Sequence, residues 1–282
     1  MSIPATGAIT MAQIQTEFGG TNQISLNEYY TGSKNSIPTG YGIPASGAIS
    51  LGDFRGTQAF KLTYLTAIDA NALGTTAGGS TSVNISASAG NFDRYIVLAV
   101  ALADSTNNLG TWGTSYTINT NAVTTIFNEG FLTDGDSCRV AMVYRKITNA
   151  ATTVTIEWTA PYYQTFNKSG GVTGTFYYEP DRGHAIFVYE LNGIPTMGTI
   201  NSVTGADNTT ANMVLAGSTK RCAILITSTN TGTPTTMTNA TITTTLNTRH
   251  TSWYDTNMGA GNVTYTTDAV NYGCFGGASF PY

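Results

Sequence analysis

The residues that could do chemistry are few, and no catalytic motif connects them. The chain has two histidines, His184 and His250, and neither stands in a Gly-X-Ser-X-Gly or His-Glu-X-X-His arrangement. We expect both to be structural or surface residues. Carboxylates could cleave a glycan only if two of them converged at a defined separation, which a sequence does not test. The candidates for such a pair are Asp93, Asp134, Asp136, Glu179 and Asp181.

No metal or cofactor site is indicated. Residues 134–136, Asp-Gly-Asp, offer the oxygens that Ca²⁺ prefers but lack the further spaced carboxylates of an EF-hand loop, so an Asp-Gly turn is the better interpretation. Cys138, Cys222 and Cys274 are far apart and in no Cys-X-X-Cys spacing, which predicts small buried thiols. We expect a protein that is not an enzyme and holds no cofactor and no metal.

Aromatic clusters are more informative candidates for a binding surface. A Gly-rich stretch, residues 159–182, contains two pairs of consecutive tyrosines. Neighbours on a strand face opposite sides, so at least one aromatic side chain of such a run should point away from a one-sided core. Exposed tyrosine suits contact with a sugar or with another subunit, and both interpretations stay open beside a place in the core. The candidate ligand or interface residues are Tyr162, Tyr163, Tyr177, Tyr178 and Trp253.

Composition and charge narrow the class of protein. Only 10% of the 282 residues are charged, the net charge is −4, and no basic run suggests nucleic acid as a partner. The longest apolar run, residues 95–103, is too short to cross a bilayer, so we expect no membrane insertion. No signal peptide is visible, which predicts synthesis in a cytoplasm. The poorly charged, Thr- and Asn-rich composition suits a particle-bound β protein.

Residues 1–58 contain three stretches with the pattern of a helix start. In each, an isoleucine precedes a Ser or Thr N-cap, and an apolar residue follows four positions after the cap. Gln13 and Glu28 stand where they could complete a capping box, whereas Asp53 is short for that contact.

The helices predicted from these starts run from residue 11 to about 18, from residue 26 to about 31, and for barely one turn before Gly56. Helices this short are unstable alone, and the unit is too small for a good core of its own, so we expect docking to order it. The predicted anchoring residues are Ile9, Thr10, Ile14, Ile24, Ser25, Tyr29, Ile49, Ser50 and Phe54.

Residues 59–282 predict at least ten short strands separated by turn signals, without helical periodicity. The fold class is therefore mainly β: a short helical N-terminal anchor (residues 1–58) followed by an antiparallel β-sandwich or jelly roll (residues 59–282). An arginine opens three apolar strands, at Arg94, Arg182 and Arg221, and Thr-Asn-Ala recurs at residues 120–122 and 238–240. These similarities indicate either two related halves, 59–193 and 194–282, or only a favoured strand style.

One repeated pattern resembles a known family. Residues 3–10, Ile-Pro-Ala-Thr-Gly-Ala-Ile-Thr, recur as Ile-Pro-Ala-Ser-Gly-Ala-Ile-Ser at residues 43–50 and continue as Leu-Gly-Asp-Phe, whereas the middle copy lacks this lead-in. The pattern is similar to a motif near the N-terminus of fibre and other minor structural proteins of tailed bacteriophages.

The resemblance implies a virion protein, a fibre-like appendage of the tail or neck. Residues 1–58 would bind other virion proteins of the tail, neck or capsid, and the β region would form a homo-oligomer, a trimer. The alternatives are a receptor-binding protein that recognises host surface glycan, a capsid or tail decoration protein, and a depolymerase.

Overall fold

The computed structural model describes residues 3–20, 25–30, 42–57, 59–70, 80–87, 94–104, 115–133, 136–148, 151–159, 162–164, 175–177, 183–194, 197–206, 212–217, 221–231, 236–246, 248–258, 261–267 and 271–282. Helix α1 (Met11–Phe18) and two 3₁₀ helices (Leu26–Tyr29 and Leu51–Phe54) come first. The strands are β1 (Lys61–Asp69), β2 (Ser80–Ser86), β3 (Arg94–Asp104), β4 (Tyr116–Ile118), β5 (Asn121–Ala122), β6 (Thr124–Thr133), β7 (Asp136–Ile147), β8 (Thr153–Thr159), β9 (Tyr162–Gln164), β10 (Thr175–Tyr177), β11 (Gly183–Asn192), β12 (Asn201–Ala206), β13 (Asn212–Gly217), β14 (Arg221–Thr231), β15 (Thr241–Leu246), β16 (His250–Asp255), β17 (Gly261–Thr266) and β18 (Asn271–Pro281).

The strands form four antiparallel layers, and the predicted mainly β, sandwich-like fold is confirmed. The first outer sheet has the order β2-β8-β4-β5 and packs on the first inner sheet, β1-β11-β3-β7-β6. The second inner sheet, β12-β18-β14-β16-β15, packs on the second outer sheet, β13-β17. The two inner sheets face each other across a third cluster of buried residues, which we call the central core. Strands β9 and β10 form a separate two-stranded ladder.

Strand β3 shows why the inner sheets read as continuous apolar runs. Val97, Ala99 and Ala101 belong to the central core. The alternating residues Ile96 and Leu98 belong to the cluster shared with the first outer sheet. A strand between two packed layers has no solvent face, so its sequence loses the polar half of the usual alternation.

The two halves of the β region have the same topology. All strands of the first inner and outer sheets lie before residue 193, and all strands of the second pair lie after residue 200. The order β1-β11-β3-β7-β6 maps onto β12-β18-β14-β16-β15, and the pair β2-β8 maps onto β13-β17. Each half is therefore a small sandwich. Among its described residues, the second half has a bridge, Met237 to Thr267, where the first has β4.

The correspondence extends to single hydrogen bonds. Thr155 Oγ1 on β8 donates to Asn84 Oδ1 on β2 at 2.7 Å, and Thr266 Oγ1 on β17 donates to Asn212 Oδ1 on β13 at 2.7 Å. The corresponding edge pairs of the two inner sheets, β6–β7 and β15–β16, also have a register shift at the same place. It follows Thr125 in β6 and Ile242 in β15. Matched shifts and side-chain bonds favour two related halves over a shared strand style.

The Arg and Thr-Asn-Ala matches in the sequence agree only in part with the structural equivalence of the two halves. Arg94 and Arg221 are equivalent, because each opens the central strand of its inner sheet. Strand β11, which follows Arg182, corresponds instead to β18. The Thr-Asn-Ala match is shifted by one residue, because Thr120 is equivalent to Asn239. Both have a φ of 62°. The residue before each donates its backbone N–H to the neighbouring strand, Asn119 to β8 and Thr238 to β17.

The halves face each other as two subunits of a two-fold dimer would. Ser228 Oγ on β14 donates to the Leu102 carbonyl on β3 at 2.6 Å, so the two equivalent central strands are opposite each other. Strand β18 lies on β7, and β16 lies on β11, where the hydroxyl oxygens of Tyr189 and Ser252 are 2.5 Å apart. The central core is thus an interface between two similar sandwiches within one chain.

Candidate functional site

The three predicted helix starts form, each with its own cap. Thr10 and Gln13 make a complete capping box: Gln13 N–H donates to Thr10 Oγ1 at 3.3 Å, and Thr10 N–H donates to Gln13 Oε1 at 2.7 Å. Ser25 Oγ accepts from Asn27 N–H at 3.4 Å. Ser50 N–H donates to Asp53 Oδ2 at 2.7 Å, so the expectation that Asp53 is too short was wrong. The 3₁₀ turn brings the shorter carboxylate within reach of the cap.

The N-terminal unit has a core of its own, contrary to the expectation from its size. Seven apolar side chains from the three helix starts and the two lead-ins are buried together. The Phe54 ring meets Phe18 at 6.2 Å and Tyr29 edge-on at 6.0 Å between centroids. Aromatic rings bury enough area for a small unit to pack without a partner. The seven residues are Ile3, Ile9, Ile14, Phe18, Tyr29, Ile43 and Phe54.

The unit also closes on itself. Ile3 N–H donates to the Thr57 carbonyl at 3.1 Å, and Gly56 N–H donates to the Pro4 carbonyl at 3.2 Å. Its first and last residues are therefore neighbours. A hydrogen bond from Ala59 N–H to Glu17 Oε1, 2.9 Å long, ties α1 to the start of the β region.

The two lead-ins repeat in conformation as well as in sequence. Gly7 and Gly47 have φ of +88° and +89°, a left-handed backbone that favours glycine. Residues 5, 6 and 8 of the first copy and 45, 46 and 48 of the third are exposed. Packing does not explain why these exposed Ala and Thr/Ser positions agree between copies. We call residues 4–8 and 44–48 the paired turns.

The predicted anchoring residues therefore divide into two groups. Ile9, Ile14, Tyr29 and Phe54 are buried in the unit's core, where they shape the unit but present no surface, and burial followed by the nearby Glu28 charge raises the pKa of Tyr29. Thr10, Ser25 and Ser50 are exposed, and Ile49 is half-buried. Ile24 lies outside the described residues. The paired turns belong to the repeated sequence, but the anchoring residues were predicted from the cap and staple positions, of which the staple positions are mostly buried.

The structure describes only part of the predicted aromatic surface. Strands β9 and β10 place Tyr162 opposite Tyr177 and Tyr163 opposite Phe176 in backbone register, while Tyr178 lies outside the described residues. Trp253 is fully buried in β16. Its prediction as an exposed ligand or interface residue was wrong, because β16 is an interior strand of an inner sheet and its Trp253 side chain is packed against the second outer sheet.

Both histidines are fully buried and lie near each other, where β3, β11, β14 and β16 meet. Tyr116 Oη is 3.2 Å from His184 Nε2, and Ser228 Oγ is 3.2 Å from His250 Nδ1. Because the single Ser228 proton goes to Leu102, His250 must donate its Nδ1–H to Ser228. Burial, followed by the His184 charge, lowers the pKa of His250 to about 3. These contacts link β11 to β4 and β16 to β14 through buried side chains.

The described residues contain neither the predicted carboxylate pair nor a cluster of metal ligands. Asp93, Asp134, Glu179 and Asp181 lie outside it, and only the backbone of Asp136 is placed. Within the described ranges, no group of three His, Cys, Asp or Glu side chains could hold a metal ion. A groove of about 560 Å³ opens between edge strands β1 and β2 and is lined largely by aliphatic residues such as Leu65, Val83 and Ile85.

Two further findings bear on the class of protein. No described helix combines the length and the apolar character needed to cross a membrane. No protein-family model, curated protein or solved structure matches this chain.

Proposed function

We propose that this chain is a structural protein of a tailed-phage virion, a fibre or fibre-like appendage held by its N-terminal unit. The observation that carries the proposal is the closed unit of residues 3–57, with its own core and its duplicated exposed turns. A unit with its own buried core that is joined to the β region by a short connection is suited to attachment. The β region is then the projecting body, and it associates with other copies as a trimer.

The paired turns are the contact that the proposal requires. They are exposed, they repeat in sequence and conformation, and their small side chains let a partner approach the backbone. The partner is another virion protein of the tail, neck or capsid. Localisation in the virion follows, with synthesis in the host cytoplasm. The mechanism is binding, with no chemical step.

Substitutions on the paired turns test the attachment role. Ala5→Arg combined with Ala45→Arg places two large charged side chains on exposed positions without disturbing the buried core. Val214→Arg, at an exposed position of β13 that is 48% accessible, is the matched control. Particles are purified from an infection that depends on the supplied chain, and its content is measured by immunoblotting. We expect loss of the double variant from particles and normal incorporation of the control, with unchanged circular dichroism for both.

Equal incorporation of both variants would remove the paired turns from the attachment mechanism, and absence of the wild-type chain from particles would refute a virion role. Electron microscopy of labelled particles separates an appendage, which projects from the tail or neck, from a decoration protein spread over the capsid. Light scattering on the full chain tests the trimer, since a stable monomer at micromolar concentration would contradict it.

The β9–β10 ladder favours glycan recognition as a second candidate function. It brings two tyrosine positions into register, Tyr162 with Tyr177, in a ladder separate from the four layers. Paired aromatic residues suit the apolar faces of sugar rings. Binding of the wild-type chain to a host glycan array, lost in Tyr162→Ala with Tyr177→Ala, would support this role. Binding unaffected by the double substitution would exclude this site.

A further inference from the structure

Two cysteines meet where the halves of the β region face each other. Cys138 is on β7 of the first half, and Cys274 is on β18 of the second. The Cys274 thiol donates to the Cys138 carbonyl oxygen, with Sγ 3.1 Å from that oxygen. Both residues belong to the central core and are 0% and 1% exposed. In the structure both are thiols.

The contact limits how far apart the two backbones are. The carbonyl oxygen of Cys138 lies about 2.4 Å from its own Cα, and the Cys274 sulfur lies about 2.8 Å from its Cα, by standard bond lengths. Together with the contact of 3.1 Å, these lengths keep the two Cα atoms within about 8 Å of each other, and any bend in the path brings them closer. Disulfides join Cα atoms that are about 4.4–6.8 Å apart. The bond therefore requires rotation of side chains and no large movement of the sheets.

The third cysteine cannot compete within the chain. Cys222 lies opposite Phe280 in the β14–β18 ladder, whereas Cys274 lies opposite Ser228. Six residues of extended strand separate these positions along β18, a distance of about 20 Å. Three cysteines therefore allow one internal pair only, which explains how an odd number is compatible with a specific bond.

We propose that Cys138 and Cys274 form a disulfide that joins the two halves when the chain meets a small-molecule disulfide. One thiolate attacks a sulfur of the reagent R–S–S–R and releases R–S⁻, which takes up a proton to become R–SH. The second thiolate attacks the resulting mixed disulfide and releases a second R–SH. The two cysteines lose two electrons and two protons, and the reagent gains both.

The position of the pair near strand ends gives the reagent a route. Cys138 is the third residue of β7, and Cys274 is the fourth residue of β18. Strand ends open locally at a lower free energy than the whole fold, so a small disulfide reaches thiols that are buried on average. The bond forms outside reducing compartments, and the proposal does not depend on the function proposed above.

The test uses the purified full chain, treated with oxidised glutathione or with dithiothreitol, then unfolded and alkylated. We expect three alkylated cysteines after dithiothreitol and one, Cys222, after glutathione, with peptide mapping that finds the Cys138–Cys274 link. The urea midpoint of the oxidised chain should rise, because the bond restricts the unfolded state, and dithiothreitol should reverse the shift. Cys222→Ala should keep the link, and Cys274→Ala should lose both the link and the shift.

Peptide mapping of the wild-type chain decides the matter even where a variant folds poorly. Three alkylated cysteines after oxidation overturn the proposal. So does a link that contains Cys222, or glutathione that stays attached to Cys138 or Cys274, because each of these means that the two sulfurs do not reach each other.

Discussion

His250 should make the fold sensitive to acid in a predictable way. Its ring is enclosed between β14 and β11, beside Ser228, the Gly183 backbone, His184 and Arg249. Burial, then the His184 charge, lowers the pKa of His250 to about 3, against the weaker opposite effect of a hydrogen bond to the Gly183 backbone. An unfolded chain leaves this histidine near its ordinary pKa of about 6.5.

The direction and the size of the effect follow from these two values. Between pH 6.5 and pH 3, His250 is protonated in the unfolded state and unprotonated in the folded state. The stabilisation is therefore complete above pH 6.5 and is lost as the pH falls. Each pH unit in that window costs about 1.4 kcal/mol, so the free energy of unfolding should drop by about 3 kcal/mol from pH 7 to pH 4 through His250 alone.

His250→Asn isolates this contribution, because asparagine can keep a donor near the Nδ1 position and carries no titrating ring. Urea unfolding of the wild-type chain and of the variant is followed by circular dichroism at pH 7, 6, 5 and 4. Every Asp and Glu is common to both chains, so their titration cancels in the difference. We expect the variant to be less stable at pH 7 and the gap to shrink, or reverse, by about 3 kcal/mol at pH 4. Parallel pH profiles would refute the reasoning.

Two other predictions compare equivalent or adjacent positions. Arg94 and Glu190 form a fully buried ion pair, so Glu190→Gln should lower the free energy of unfolding in urea by about 3–5 kcal/mol. Ser279 is at the equivalent position in the second half, beside the less buried Arg221, and Ser279→Ala should cost about 1 kcal/mol. Equal losses for the two variants would contradict the stronger role of the buried ion pair. Gly47→Ala, at φ +89°, should destabilise the N-terminal unit by about 1–2 kcal/mol in thermal unfolding, and Ala48→Gly by less; a neutral Gly47→Ala would show that the turn relaxes.

Strong local patterns made much of the fold predictable. Helix α1 runs over Met11–Phe18 as expected from its capping box, and the continuous apolar run of β3 corresponds to a strand that is buried on both faces. Strand β12 has little alternation to detect, because it consists mainly of Asn, Ser, Thr, Gly and Ala. The four-layer arrangement depends on which strand faces find each other over long range, and no local pattern encodes that.

The candidate sites were less predictable, for a related reason. The staple residues Ile9, Ile14, Tyr29 and Phe54 have the apolar character of a contact surface and that of a core alike. Trp253 illustrates the same ambiguity in β16, where a large aromatic residue fills the space between the second inner and outer sheets. Whether such a side chain meets solvent depends on the layer above it. Gly7 and Gly47 are different, because a glycine in a repeated turn by itself predicts the left-handed backbone that both residues adopt.

The internal repeat has a consequence for how this protein can vary. In a dimer of identical chains, one mutation changes both copies of a site at once. Here each half mutates separately, so a difference acquired by one need not be tolerated by the other. Arg94 keeps a buried glutamate while its counterpart Arg221 meets the hydroxyl of Ser279. His250 lies on β16, which packs on β11, whereas Cys138 and Cys274 meet where β7 packs on β18. Two similar halves within one chain therefore differ from a dimer of identical chains: a symmetric framework can carry asymmetric contacts.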